Sequence, residues 1–74
     1  MANPYERLAN EIITMAAKDY MAALKILKKS PTNVSAKDTV NECERFFHSE
    51  LYTILTDVDN EFLIRRLRQE VYKK

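Results

Sequence analysis

The 74-residue sequence contains no glycine and no tryptophan, and it has only one cysteine and one histidine. Without glycine, no residue adopts positive φ at low cost, so tight β-hairpin turns are not expected. The absence of glycine also removes the phosphate-binding loops of Walker and dinucleotide-binding proteins. A single cysteine excludes an intramolecular disulfide and a cysteine-based structural zinc site.

Long apolar runs and a strong net charge are also missing. The chain begins Met-Ala-Asn-Pro, without the charged and apolar regions of a signal peptide, and no apolar run approaches about 18 residues. A cytoplasmic protein without a membrane segment is therefore expected. The net charge of +1 gives no strong overall field to attract nucleic acid.

Residues that favour helix are abundant, and apolar residues recur at intervals of three and four positions. This spacing predicts one domain over residues 1–74, with helices at about 4–29, 36–56 and 58–72. Short connections favour antiparallel neighbours. The predicted fold is an all-α three-helix bundle, formed by a long antiparallel helical hairpin and a shorter C-terminal helix.

The predicted helix ends rest on local signals. Asn3 is a good N-cap and Pro4 suits the first helical position. Ser30-Pro31 ends the first helix, because the residue before proline is disfavoured in the α region. Ser35, with an acid three residues later, predicts the N-cap of the second helix, and Thr56 or Asp57 that of the third.

One apolar face on each helix is expected to form the core. On the first helix, these residues are Tyr5, Leu8, Ile12, Met15, Ala16, Tyr20, Ala23, Leu24 and Leu27. On the second they are Ala36, Val40, Cys43, Phe47, Leu51, Ile54, Leu55 and Val58, and on the third Leu63, Ile64, Leu67 and Val71. Other apolar side chains lie off these faces, namely Met21, Phe46, Tyr52 and Phe62. They indicate self-association or partner binding; alternatively, a third helix that crosses the hairpin buries some of them in the core.

Asp19 falls within the predicted apolar face of the first helix. A lone carboxylate in a dry core is costly unless it is neutralised, paired or left wet. In an antiparallel hairpin it faces the middle of the second helix, where Arg45 and His48 offer a structural ion pair. Two alternatives are pairing across chains at an oligomer seam and a functional carboxylate.

The C-terminal segment "LIRRLRQEVYKK" carries the strongest candidate for a binding surface. Arg65, Arg66 and Arg68 spread over the side of the third helix away from its apolar stripe, and Tyr72 lies on the same flank. Such a surface could contact phosphates or an acidic protein. Alternatively, it is a solvated helix with cations near its C-terminus.

No arrangement of residues predicts a catalytic, cofactor or metal site. Cys43 and His48 are five residues apart on one helix, so their side chains diverge by about 140°. Acids at 57, 59 and 61 resemble the start of a calcium loop, but Phe62 and Arg68 replace its glycine and glutamate. An enzyme is not expected.

The segment "ERFFHSELYTILTDVDNEFLIRRL", residues 44–67, follows an Asp-Tyr pair on the first helix. Together they resemble small open reading frames of prophages and integrative elements in Gram-positive bacteria, with the pattern ERFFxSxxxxxLTxxDxExLIRRL. The matching positions are Asp19, Tyr20, Glu44, Arg45, Phe46, Phe47, Ser49, Leu55, Thr56, Asp59, Glu61, Leu63, Ile64, Arg65, Arg66 and Leu67. Asn60 stands where such sequences have glycine. The resemblance implies a bacterial or phage setting and no catalytic residues.

The sequence therefore predicts a small non-enzymatic helical protein of a phage or mobile element. We expect it to act by binding another macromolecule, a protein partner or a second copy of itself. The alternative is a nucleic-acid-binding accessory factor that uses the arginines of the C-terminal helix.

Overall fold

The computed structural model describes residues 4–73, and these fold into four α-helices. The helices are α1 (Pro4–Lys29), α2 (Val34–Phe47), α3 (Glu50–Leu55) and α4 (Asn60–Tyr72). The predicted all-α class is confirmed, and α1 has the predicted bounds. The predicted N-cap Asn3 lies outside the described residues.

The hairpin of α1 and α2 turns through residues 30–33. The start of α2 differs from the prediction, because the side chain of Asn33 accepts a hydrogen bond of 2.9 Å from the amide of Ala36. Asn33 is therefore the N-cap, α2 begins at Val34, and Ser35 lies inside the helix. An asparagine oxygen satisfies a free amide at a helix start as well as serine does.

The predicted second helix is broken at His48 and Ser49, so the bundle has four helices instead of three. Ser49 is the N-cap of α3: its Oγ accepts from the amide of Tyr52 at 3.3 Å and donates to the carbonyl of Phe46 at 2.6 Å. In an unbroken helix, positions 47 and 52 would diverge by about 140°. The break lets both rings enter the core.

α4 runs parallel to α1 and antiparallel to α2. Leu63 and Ile13 line one depression near the start of α4. At the other end, the ammonium of Lys28 donates a hydrogen bond of 3.1 Å to the carbonyl of Val71. This contact places a cation at the C-terminal, electronegative end of α4. The C-terminal helix thus packs along one side of the hairpin.

Aromatic rings occupy the centre of the core, where Tyr20, Phe47 and Tyr52 are each at most 1% exposed. The rings of Tyr20 and Phe47 meet edge to face, with centroids 5.6 Å apart. Phe47 and Tyr52 form a second edge-to-face pair at 5.9 Å, and Phe46 packs at the edge. Such pairs add specific geometry to the burial of apolar area.

The core face of α1 matches the prediction in part: Tyr20, Ala23 and Leu24 are buried as predicted, and Ala16 and Leu27 pack against the core. Four predicted core residues are exposed instead: Tyr5 (60%), Leu8 (56%), Ile12 (37%) and Met15 (65%). On the same helix, the buried residues are Ala9, Tyr20, Ala23 and Leu24. The other helices pack against the side of α1 that carries these buried residues, and the apolar periodicity alone does not separate it from the adjacent side that carries Leu8, Ile12 and Met15.

The second predicted core face is also partly exposed. Leu51, Ile54 and Val58 are 51%, 66% and 48% exposed. The break at residues 48–49 is the physical reason, since α3 starts with a new orientation that buries Tyr52. A single continuous helix predicts that Leu51, Ile54 and Val58 face the core, and this is wrong for the residues after the break.

Candidate functional site

Asp19, Arg45 and His48 are all exposed, and the structure shows no ion pair between them. The predicted structural ion pair is therefore wrong. The reason is the face of α1 that packs inward, which is centred on Tyr20 and Leu24. Asp19 precedes Tyr20 by one position and points about 100° away from it.

The predicted alignment of the two hairpin helices is nevertheless close to the observed one. Tyr20, the neighbour of Asp19, meets Phe47 and Glu44 on α2. Asp19 itself lines an open groove between α1 and α2, to which Ser35 and Thr39 of α2 also contribute. A carboxylate in this position keeps its water and needs no counterion.

The polar contact that joins the bundle is a network of Tyr20, Glu44 and Arg68. The hydroxyl of Tyr20 donates to Glu44 Oε2 at 2.6 Å, and the same hydroxyl accepts from Arg68 Nε at 3.1 Å. Arg68 Nη2 also donates to Glu44 Oε2 at 3.2 Å. One residue comes from each of α1, α2 and α4, so the network fixes these helices relative to one another.

The electrostatics of this network favour a protonated tyrosine. Burial, the hydrogen bond to Glu44 and the negative charge of Glu44 together raise the pKa of Tyr20 to about 12, although Arg68 acts in the opposite direction. Tyr20 therefore remains a hydrogen-bond donor at neutral pH. Tyr20 is fully buried, whereas its partners Glu44 and Arg68 are partly exposed and line a surface depression. The three contacts join helices, which is a structural role.

The four predicted surface residues of the C-terminal helix do not form a free basic patch. Arg68 is engaged with Tyr20 and Glu44. Arg65 is exposed and borders a depression that is also lined by Glu44 and Glu61. Since two carboxylates lie beside two arginines, the local charge is balanced. Tyr72 is 46% exposed.

Arg66 also has an acid in its neighbourhood. Lys73 Nζ contacts Glu70 Oε2 at 3.0 Å, and this hydrogen bond and charge lower the pKa of Glu70, to which Arg66 contributes a smaller effect. Exposed pairs of this kind contribute little to stability. They do reduce the positive field that a phosphate group would meet at this end of α4.

Cys43 is partly buried and packs against the core, as the sequence predicts. Burial raises the pKa of its thiol, and the nearby carboxylates of Asp19, Glu42 and Glu44 raise it further. A thiol with a raised pKa is a poor nucleophile, because the thiolate is the reactive form.

Asn60 closes the corner between α3 and α4. Its side-chain nitrogen donates to the carbonyl of Phe47 at 2.9 Å and lies 3.4 Å from His48 Nδ1. Asp59 caps α4 by accepting from the amide of Glu61 at 3.2 Å. The predicted caps Thr56 and Asp57 are therefore wrong by a few residues, since the chain turns further before α4 begins.

Exposed apolar side chains are the most distinctive surface feature of residues 4–73. Large ones with at least 37% exposure are Tyr5, Leu8, Ile12, Met15, Ile26, Val34, Leu51, Ile54, Val58, Phe62 and Tyr72. Several of them cluster in two parts of the chain, one along α1 and one between Leu51 and Phe62. Sequence reasoning assigned most of the first group to the core.

The α1 group follows a strict alternation of three and four residues, which places it on one line of the helix. We call this line the α1 seam, and it comprises Tyr5, Leu8, Ile12, Met15, Asp19, Ala22 and Ile26. All seven residues are exposed. The sequence by itself predicts no sustained heptad, because the apolar face of the first helix is broader than a two-position seam. The seam becomes distinct only when the core face is known.

The second group lies at the corner between α3 and α4, and we call residues 50–62 the corner segment. Four of its apolar side chains are about half exposed or more: Leu51, Ile54, Val58 and Phe62. The segment also contains four acidic residues and no basic ones. It therefore combines apolar groups with negative charge.

Among residues 4–73, no cluster of three or more histidine, cysteine, aspartate or glutamate side chains could hold a metal ion. Over the same residues, no helix combines the length and apolar character needed to cross a membrane. Comparison of the chain with protein-family models, with curated protein sequences and with solved structures gives no match.

Proposed function

We propose that this chain is a non-enzymatic helical domain that acts by binding a protein partner. The observation that carries the proposal is the exposure of large apolar side chains on two separate parts of a small domain. Isolated apolar residues on a surface are ordinary, whereas grouped ones are typical of interaction sites.

The corner segment supports binding of a partner with defined chemistry. Ile54 is 66% exposed and Phe62 is 55% exposed, so the methyl groups of Ile54 and the ring of Phe62 are available for contact. The acids Glu50, Asp57 and Asp59 lie in the same segment. Opposite charges around an apolar contact increase specificity and association rate. The partner surface we propose is therefore apolar with a basic rim.

The same proposal includes a biological setting, which rests on the resemblance of residues 44–67 to prophage and integrative-element reading frames. We place the protein in the cytoplasm of a Gram-positive bacterium that carries such an element. In this setting, a small domain without reactive groups acts by occupying a surface of a host or phage protein.

Capture from a host-cell lysate, followed by mass spectrometry, tests the proposal. The matched baits are the wild-type chain, the double variant Ile54→Ser/Phe62→Ser, and Val34→Ser as a control. Val34 is 69% exposed at the start of α2 and lies outside both apolar groups. We expect one protein to be retained by wild type and Val34→Ser and lost from the double variant. Equal retention by all three baits would contradict the proposal.

Nucleic-acid binding is a second candidate, supported by the exposure of Arg65 and Arg66 on α4. We favour protein binding over nucleic-acid binding, because acidic side chains lie beside these arginines and reduce the local positive charge. A salt titration of DNA binding tests it, because phosphate contacts weaken steeply as salt concentration rises. Retention that is lost in Arg65→Ala/Arg66→Ala would favour this candidate, and no retention at low salt would remove it.

A further inference from the structure

Apart from Asp19, the α1 seam is an apolar helix line, and all its residues are exposed; Asp19, Ala22 and Ile26 also border the groove between α1 and α2. Its residues recur at the a and d positions of a heptad, with Tyr5, Ile12, Asp19 and Ile26 at a and Leu8, Met15 and Ala22 at d. Met15 is 65% exposed near the middle of the helix. Such a line needs a second helix to become buried.

We propose that a second copy of this chain covers the α1 seam, with the two α1 helices antiparallel and Ile12 opposite the partner's Met15. The inference rests on the proposed function in one respect, because it treats exposed apolar groups as a binding surface and names the occupant of one of them. A twofold axis near residues 13 and 14 would make the interface self-complementary.

Asp19 decides the direction of the two helices. In a parallel pair, each a position faces the same a position of the partner, so two Asp19 carboxylates would meet at the seam. Like charges placed together at an interface are strongly unfavourable. In the antiparallel arrangement, Asp19 lies opposite the partner's Leu8, and the two carboxylates are far apart.

Glu11 and Lys18 favour this register. Both occupy g positions that flank the seam, both are exposed, and neither forms an ion pair among residues 4–73. With Ile12 opposite the partner's Met15, Glu11 lies beside the partner's Lys18, and symmetry repeats the pair. Sliding the helices by one heptad in one direction would oppose Glu11 to Glu11. Sliding them the other way would oppose Lys18 to Lys18 and bring Glu11 beside the partner's Lys25, but it would also place Met15 opposite the partner's Asp19 and Ile12 opposite the partner's Ala22.

The same register uses most of the seam. Tyr5 lies opposite the partner's Ala22 and Leu8 opposite the partner's Asp19, which gives six layers over about 27 Å of helix. A seam of this length buries an area near the lower end for stable dimers. We therefore expect a reversible dimer whose population depends on protein concentration.

A charge-swap experiment tests the proposal by sedimentation equilibrium at low salt, where exposed charges are least screened. Glu11→Lys alone and Lys18→Glu alone each replace both ion pairs by repulsions, so we expect a rise of about tenfold or more in the dimer Kd. The double swap Glu11→Lys/Lys18→Glu restores the pairing. A mixture of the two single variants does so as well.

Matched controls apply the same charge changes on exposed positions of α2, as Glu42→Lys and Lys37→Glu, and these should dimerise like the wild type. Circular dichroism checks that each variant remains helical. A wild-type chain that stays monomeric at millimolar concentration would overturn the proposal. Single swaps that dimerise as tightly as the wild type, or a mixture that fails to associate, would also overturn it.

The two proposals fail separately. The corner variant Ile54→Ser/Phe62→Ser should lose partner capture, which tests the proposed function. The same variant should dimerise with the wild-type Kd. Glu11→Lys should raise the dimer Kd and keep the corner segment available to a lysate protein. Capture without dimerisation would leave the proposed function in place and remove the dimer.

Discussion

The hydroxyl of Tyr20 donates a hydrogen bond of 2.6 Å to the carboxylate of Glu44, although Tyr20 is fully buried. A buried hydroxyl is costly without a partner, and a charged acceptor gives a stronger hydrogen bond than a neutral one. Arg68 completes the group by donating to both residues. This contact joins three helices at a single point in a domain of limited core size.

Removal of the Tyr20 hydroxyl should therefore destabilise the fold. We expect Tyr20→Phe to lower the free energy of unfolding by about 1–2 kcal/mol, because Glu44 and Arg68 lose their shared partner while the ring remains packed. Urea denaturation followed by circular dichroism measures the change. Tyr72→Phe, at a tyrosine that is 46% exposed, is the control and should be neutral.

The stability contributed by Tyr20 should be lost in alkaline solution. Its pKa in the fold is about 12, raised by burial and by Glu44, whereas an unfolded tyrosine titrates near 10. The unfolded chain therefore loses the proton first as pH rises. The contribution is complete below about pH 10 and declines toward pH 12. The free energy of unfolding, measured from about pH 9 to pH 12, should become similar in wild type and Tyr20→Phe as the pH rises. A difference between the two proteins that stays constant over this range would contradict the prediction.

Asp19 should tolerate substitution in the monomer. The exposed carboxylate has no ion-pair partner among the described residues, so Asp19→Ala should change the free energy of unfolding by less than about 0.5 kcal/mol. The measurement belongs at low micromolar concentration, to keep the chain monomeric. A loss of several kcal/mol would restore the buried ion pair that the sequence predicts.

The break between α2 and α3 should depend on Ser49. Its hydroxyl caps α3 and also donates to Phe46, so Ser49→Ala should cost about 1 kcal/mol. Thr53→Ala is a matched control, because the Thr53 hydroxyl is exposed and bonds only within its own helix. Thermal unfolding of both variants compares the two. An equal effect of the two substitutions would show that the cap is unimportant.

Removal of the Tyr52 hydroxyl should stabilise the fold. The residue is 1% exposed, and its hydroxyl oxygen is buried with no hydrogen-bond partner among residues 4–73. Tyr52→Phe keeps the edge-to-face packing on Phe47 and removes the unsatisfied group, which should stabilise the fold by about 1 kcal/mol. Chemical denaturation provides the value. A destabilised variant would indicate that the hydroxyl is satisfied in solution.

The sequence by itself determined the helical class and the bounds of α1. Absence of glycine and abundance of helix-favouring residues act locally, and Pro4 and Pro31 mark the ends of one helix through fixed backbone geometry. It also placed Cys43 against the core. These features depend on neighbours in the chain, so local rules are sufficient to predict them.

Only the tertiary structure decided which side of α1 is buried and where the second helix breaks. α1 has apolar residues on two sides, and both satisfy a helical period, so packing against α2 and α4 selects one. That selection exposes Asp19 and buries Tyr20 against Glu44 and Arg68. Contacts between residues 24 and 48 positions apart are set by how the helices pack together, and no local pattern contains that information.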